Sequence, residues 1–264
     1  MSGILSRIAS VKSAQVHARR LELPEGELEQ LALLSPLSGH VLRENLRREP
    51  GQPIRVLAEC KKASPSKGVM IEDYDPLRLA RKYLAGGASG ISVLTETEFF
   101  LGDDAHLRAV SGSIPLPVLR KDFTLERYQI LEARCLGASA ILLIAALLDD
   151  AKLLDLVAAA SEMGLDSIIE VHSWTELEPA LRANPSILGI NNRNLDTFEV
   201  SLETTFDLLP DIPKGTVVIS ESGISRREQC ELLEQEGVDA ILVGEGTGTS
   251  SDPESKIREL RGLA

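Results

Sequence analysis

The stretch "GASAILLIAALL", Gly137 to Leu148, decides the fold class. Its residues from Ile141 to Leu148 form an unbroken apolar run. Such a run fits a parallel strand buried on both faces, and the glycine before it stands where a helix C-terminus belongs. The start of this stretch recurs along the chain, as "GASGI" at Gly87, "GASAI" at Gly137, "GLDSI" at Gly164 and "GVDAI" at Gly237. The spacings are close to two, one and three copies of a unit of roughly 25 residues, which is the signature of a repeated structural element.

Outward from these glycines, strands are expected at 54–60, 90–95, 117–121, 139–145, 167–171, 187–191, 216–221 and 239–244. Helices are expected at 75–85, 103–111, 126–136, 150–163, 174–183, 202–209, 225–236 and 253–261. Eight alternating strand–helix units over about 210 residues match an α/β fold of the (β/α)8 TIM barrel type. An open doubly wound sheet is the alternative, but it usually carries a glycine fingerprint after its first strand, and none stands here. The expected organisation is a single barrel domain over residues 1–264, of which 1–50 form an N-terminal helical extension. The first twenty residues are rich in Ser and Arg and lack acids, as a transit peptide would be. Ile4, Ile8, Val11 and Gln15 fall near helical spacing, however, and an amphipathic helix is expected instead.

The composition narrows the function. The chain has 264 residues, 43% apolar and 26% charged, which is enough for a substantial core. A formal net charge of −12 argues against binding nucleic acid or an anionic membrane surface. No apolar run approaches the ~20 residues of a membrane span. The three cysteines and four histidines show no zinc spacing and no disulfide framework. They imply free thiols in a reducing compartment, so a cytoplasmic protein without a metal is expected.

"AECKKASPSKG", Ala58 to Gly68, then poses a problem, because an apolar strand runs into Glu59, Lys61 and Lys62. Charges at the end of a core strand cost free energy unless they face a cavity with partners. Catalytic groups of a TIM barrel sit at the C-terminal ends of its strands. Here the strand ends carry Glu59 and Lys61, then Lys121, Glu170, Asn191 and Arg193, then Glu221, Ser222 and Gly223, and last Gly244. Side chains alternate across a strand, so Leu57, Glu59 and Lys61 share a face. Leu119, Lys121 and Phe123 share another, as do Ile168 with Glu170, and Gly189 with Asn191 and Arg193. The apolar members fill the barrel and the polar ones crown its mouth. Lys62, Arg120 and Asn192 are expected to point outward in structural roles.

Lys61, Lys121 and Arg193 form one basic zone, and the glycine turns of "ESGI" and "LVGEG" form another. The loops after strands 7 and 8 often bind phosphate in these barrels. A small phosphorylated substrate with a second anionic group is therefore expected. Phe99, Phe100 and Phe123, in a chain only 3% aromatic, suggest an aromatic or apolar substrate part.

Six stretches, "AECKKASPSKG", "ISVLTETEFFLG", "PVLRKDF", "IIEVHS", "GINNRNLDTFEV" and "ISESGI", together resemble the indole-3-glycerol-phosphate synthase family of tryptophan biosynthesis. The N-terminal "ILSRIASVKSAQVHARR" is similar to that family's first helix. The resemblance implies ring closure of 1-(2-carboxyphenylamino)-1-deoxyribulose 5-phosphate with loss of carbon dioxide and then of water, without a cofactor. It implies that Lys121 is the general acid, that Lys61 binds the substrate carboxylate and assists proton transfer, and that Glu170 is the base of dehydration. Glu59 would orient and charge the lysines, and Asn191 and Arg193 would surround hydroxyls and carboxylate. Ser64, Ser222, Gly223 and Gly244 would contact the carboxylate and phosphate, with Glu221 beside them and a backbone donor at Glu245. Phe100, Phe123 and Leu242 would form the aromatic pocket. Crowding of the lysines is expected to lower a lysine pKa, with Glu59 and Glu170 opposing that.

The chain departs from the family after strand 8, where Gly246, Thr247, Gly248 and Thr249 replace the usual Ser, Leu and Met run. A loosely held turn is expected there. Another phosphosugar barrel enzyme, such as a phosphoribosylanthranilate isomerase, is the first alternative, and a non-catalytic ligand-binding barrel the second. A monomer or weak homodimer is expected.

Overall fold

In the computed structural model, which describes residues 3–37, 41–194 and 197–263, eight parallel strands close into a barrel. They are β1 Arg55–Cys60, β2 Gly90–Leu94, β3 Val118–Lys121, β4 Ala140–Ile144, β5 Asp166–Val171, β6 Ile187–Asn191, β7 Val217–Glu221 and β8 Ala240–Val243. Each pairs with its neighbour in sequence, and β1 closes the ring against β8, with Leu57 opposite Leu242. A helix follows every strand. These outer helices are α4 Pro76–Ala85, α5 Asp104–Ser111, α6 Arg127–Cys135, α7 Asp150–Glu162, α8 Trp174–Arg182, α9 Glu203–Leu208, α10 Arg227–Gln235 and α12 Pro253–Leu260. The TIM-barrel reading of the sequence therefore holds.

The repeated glycines explain why the units recur. Gly87, Gly137, Gly164 and Gly237 have φ of 89°, 79°, 68° and 88°, the left-handed region open to glycine at little cost. Each lies one residue past the C-cap of α4, α6, α7 or α10. The next residue then donates back into the helix, as Ala88 N does to Tyr83 O and Val238 N to Leu233 O. This is the Schellman closure, which turns each helix into the following strand. At the other helix ends, Asp75, Asp103, Asp149 and Asp252 accept backbone N–H groups of the first turn.

Two apolar layers result. Leu57, Leu119, Leu142, Ile168, Ile187, Ile219 and Leu242 fill the barrel interior, while a second cluster packs the strands against the helices. The N-terminal segment covers both ends of the barrel. Helix α3, Leu42–Leu46, packs Leu42 and Leu46 into the interior cluster at the N-terminal ends of the strands. There Arg43 N donates to Asp166, and Arg48 to the carbonyl of Val238. Helix α1, Gly3–Glu22, crosses the opposite end and buries Leu5, Ile8, Lys12 and Val16. Helix α2, Glu25–Leu34, then packs on α6.

That buried stripe on α1 corrects the face expected from Ile4, Ile8, Val11 and Gln15, which is rotated by about one residue. The stripe includes a lysine. Lys12 Nζ lies 2.8 Å from Asp122 Oδ1, and both side chains are only 2% exposed. Burial pushes the Asp122 carboxyl up, but Lys12 and Arg120 outweigh it and hold it below its ordinary value. Asp122 follows Lys121, so the pair ties α1 to the strand end that matters most below. Lys12→Met should cost about 3 kcal/mol, because it strands a buried carboxylate. A loss under about 1 kcal/mol by urea denaturation would show that Thr95 and Arg120 suffice for Asp122.

Candidate active site

A cavity of about 490 Å³ opens at the C-terminal ends of the strands. The residues that the resemblance assigns to the site all line it: Glu59, Lys61 and Ser64 from β1 and its loop, Phe100 after β2, and Lys121 of β3 with Phe123 just beyond it. Glu170 of β5, Asn191 of β6 with Arg193 beyond it, Glu221 of β7 with Ser222 and Gly223 after it, and Leu242 of β8 with Gly244 and Glu245 after it complete the ring. The pleat accounts for this. Lys121 faces the cavity, whereas its neighbour Arg120 turns outward and bonds Asp104, Glu132 and the carbonyl of Gln129. Asn192 likewise turns away, onto Ser220, Thr205 and the carbonyl of Ser222.

The floor is an ionic cluster. Lys121 Nζ donates to Glu170 Oε2 at 2.8 Å and to Glu221 Oε2 at 2.7 Å. Asn191 Nδ2 donates to Glu170 Oε1, and Ser222 Oγ donates to Asn191 Oδ1. Lys61 pairs with Glu59. Two glycines make room for these carboxylates. A Cβ on Gly189 would overlap Glu221 Oε1, and one on Gly244 would overlap Glu59 Oε1. After β7, Ser222 and Gly223 both adopt positive φ, 71° and 79°, and swing the chain across the mouth.

The electrostatics differ from the sequence expectation in two ways. Burial works to lower the Lys121 pKa, but Glu170, Glu221 and Glu59 outweigh it and raise it well above its ordinary value. The nearest charges to Lys121 are carboxylates, so lysine crowding does not act as expected. The rim cations are also all paired, since Arg193 reaches to 3.8 Å from Glu245. The three cations thus face four carboxylates, Glu59, Glu170, Glu221 and Glu245, and an anionic ligand must compete with them. Glu221 answers to that excess. Its burial raises it to about 7, against the pull of Lys121, and its Oε1 is buried without a hydrogen bond among the described residues. Glu170 goes the other way, because Lys121 and His172 overcome its burial and hold it well below the ordinary carboxylate range.

Above this floor the walls are apolar. Phe100 and Phe123 stand with ring centroids 6.0 Å apart, beside Leu242, Leu142 and Ile144. Glu96 is fully buried and accepts the backbone N–H of Glu98, Phe99 and Phe100, which sets the turn that presents Phe100. Phe99 instead lies under the Arg7 guanidinium of α1. Ile4, Leu5 and Ile8 of α1 and Phe198 after β6 also line the mouth, and sequence reasoning passed over them. The stripe from Leu5 through Ile8 and Lys12 to Val16 was the available signal on α1.

The turn after β8 is more firmly held than expected. It forms a helical turn, α11 Glu245–Gly248, with Thr247 buried at 1% exposure. The Thr247 hydroxyl donates to Gly244 O at 3.1 Å, and Gly248 N to the same carbonyl at 2.7 Å. A Cβ on Gly248 would lie 3.2 Å from Tyr83 Oη and 3.4 Å from Ile71 Cδ1. Restoring a family-like Met at Gly248 should therefore cost about 1–2 kcal/mol by overpacking. An unchanged urea midpoint would show that Tyr83 and Ile71 yield easily.

Comparison with known proteins follows the same line. The family model described as indole-3-glycerol phosphate synthase matches residues 5–260. The indole-3-glycerol phosphate synthase of Roseiflexus sp. (strain RS-1) is 44% identical over 270 residues, covering 99% of each chain. That of Chlorobium chlorochromatii (strain CaD3) is 42% identical over 255 residues, covering 96% of this chain and 98% of its own. Among solved structures, the 3-hexulose-6-phosphate synthase of Salmonella typhimurium superposes with a TM-score of 0.65 at 13% identity, over 80% of this chain and 98% of its own. A thiamine phosphate pyrophosphorylase from Pyrococcus furiosus gives 0.60 at 16%, over 84% and 96%. These structural likenesses speak to the fold alone.

Proposed function

The chain belongs to the indole-3-glycerol phosphate synthase family, and from that premise we propose how its site converts 1-(2-carboxyphenylamino)-1-deoxyribulose 5-phosphate into indole-3-glycerol phosphate. The observation that carries this reading is Lys121, held on the cavity floor between Glu170 and Glu221 under the Phe100–Phe123 wall. An aromatic ring fits against that wall. Its carboxylate pairs with Lys61, and the phosphate takes the rim of Ser222, Gly223, Gly244 and the Glu245 backbone, with Ser64 and Arg193 adding polar contacts.

Lys121 then delivers its proton to the ketone oxygen as the ring carbon bearing the carboxylate attacks. An alkoxide in water has a conjugate-acid pKa of about 16, so even a lysine held above its ordinary value is acidic enough to protonate it. Carbon dioxide leaves and the ring regains aromaticity. Glu170 next takes the proton whose loss forms the new ring double bond, and Lys61 protonates the departing hydroxyl, which leaves as water. Glu59 pairs with Lys61 and orients it, and Asn191 fixes the Glu170 carboxylate. Carbon dioxide and water both leave, so the activity is that of a carbon–carbon lyase. The residue chemistry supplies every proton in this scheme, and no cofactor enters it.

The three cysteines are free thiols, which fits the reducing cytoplasm where we place the protein. Among the described residues no helix is long and apolar enough to cross a membrane. The experiment is direct: purified protein is incubated with the carboxyphenylamino substrate, with no metal or nucleotide added, and indole fluorescence is followed. Absence of that signal, with the protein folded by circular dichroism, would overturn the reading.

A further inference from the structure

Behind Glu170, out of reach of the cavity, stands a histidine that the proposed steps do not use. His172 Nδ1 lies 3.0 Å from Glu176 Oε2 of α8, and its Nε2 lies 3.2 Å from Glu170 Oε1. Its side chain is only 8% exposed. Glu176 also accepts the backbone N–H of His172 at 2.8 Å, so the ring is fixed from behind. A role in capping α8 accounts for the Nδ1 side. It does not account for Nε2, which is buried, makes no aligned hydrogen bond among the described residues and sits at ion-pair distance from Glu170.

We infer that His172 is a positioning residue, an imidazolium that keeps the Glu170 carboxylate ionised and aimed while Lys121 is occupied with the substrate. The inference rests on the reading of Glu170 as the base of dehydration. Its logic is charge balance. Glu170 faces Lys121 from β3 and the Glu221 carboxylate from β7, with neutral Asn191 on β6. Once Lys121 gives its proton away, the only cation left within ion-pair distance among the described residues is His172. Without it, two buried carboxylates would face each other and one would take up a proton. His172 stays charged because Glu170 and Glu176 flank it, and they overcome its burial to raise it to about 10.

The test follows carbon dioxide release and indole formation in single turnovers from pH 5 to 10, in the wild type and in H172Q, H172K, E176Q and E170Q. Removing a cation beside a carboxylate raises the carboxylate pKa. In H172Q the acidic limb of water elimination should therefore move up by about one unit, with little change in KM. H172K, which restores a charge, should move it back. E176Q should bring the alkaline limb down, because His172 then loses its proton at lower pH. A lower melting temperature in H172Q with an unmoved pH profile would overturn the inference and leave a capping role. If H172Q does not fold, an unmoved profile in E176Q has the same force. E170Q separates the two readings. If it retains water elimination, the role of Glu170 falls and the inference with it. If it loses that step while the H172Q profile coincides with the wild type, only the inference falls.

Discussion

Lys121→Ala should lower kcat by a factor of about 10²–10⁴, the usual contribution of a positioned proton donor. The structure adds a second expectation. Lys121 neutralises Glu170 and Glu221, which are otherwise 3% and 2% exposed and face one another. Breaking a buried ion pair from one side typically costs about 3 kcal/mol or more. That cost should depend on pH. Glu221 already sits near 7 in the folded protein, against an ordinary value of 4.5. A carboxyl raised on folding binds its proton more tightly in the folded state, so its contribution favours folding below the ordinary value and is lost as pH rises towards the raised one. Without Lys121 the raised value climbs further, and one carboxylate of the pair stays protonated at mildly acidic pH. The variant should be most destabilised near pH 8 and recover part of its stability near pH 5.5. Urea denaturation at the two pH values measures this. A kcat above half the wild-type value would remove Lys121 from the proton-donor role. A stability deficit independent of pH would show that the carboxylates find another counter-ion.

Glu170→Gln is expected to uncouple the two products. The amide keeps the shape and an acceptor for Lys121, but it cannot take a proton. Water elimination should slow by about 10²–10⁴, and ring closure with carbon dioxide release should slow much less. In a single turnover, carbon dioxide should appear in a burst ahead of indole fluorescence, with a cyclised, hydroxylated intermediate accumulating between them. Parallel loss of both products would assign Glu170 to ring closure, through its grip on Lys121, and leave dehydration without its base. The wild-type rate should hold into mildly acidic pH, because Lys121 and His172 keep Glu170 below the ordinary carboxylate range.

Most of the site could be read from sequence because alternation along a strand is local. Knowing that Leu119 faces the barrel axis is enough to know that Lys121 does too and that Arg120 does not. The same rule assigned Glu59, Glu170 and Asn191. It failed on α1, where a lysine interrupts the apolar stripe and reads as a solvated face. Only its partner Asp122, 110 positions along the chain, makes burial of Lys12 affordable. It also failed on pKa direction. Counting lysines along the sequence predicts mutual repulsion, but the closed barrel gives Lys121 carboxylate neighbours instead. The turn after β8 misled for a similar reason. Two glycines and two threonines look loose until Tyr83 and Gly244 are seen to enclose Thr247.

The sequence by itself determined the eight strand–helix units, their order and the strand-end side chains at the mouth. The signals behind these are short-range: a left-handed glycine after a helix, an aspartate before one, a two-residue period in a strand. The tertiary structure alone decided which charges meet. Lys121 is 49 residues from Glu170 and 100 from Glu221, and only closure of the ring brings the three within hydrogen-bonding distance. Coulomb energy and desolvation depend on distance and burial, which no local pattern encodes. Hence the same residues that sequence reading placed correctly acquired their protonation states, and with them their chemistry, from the fold.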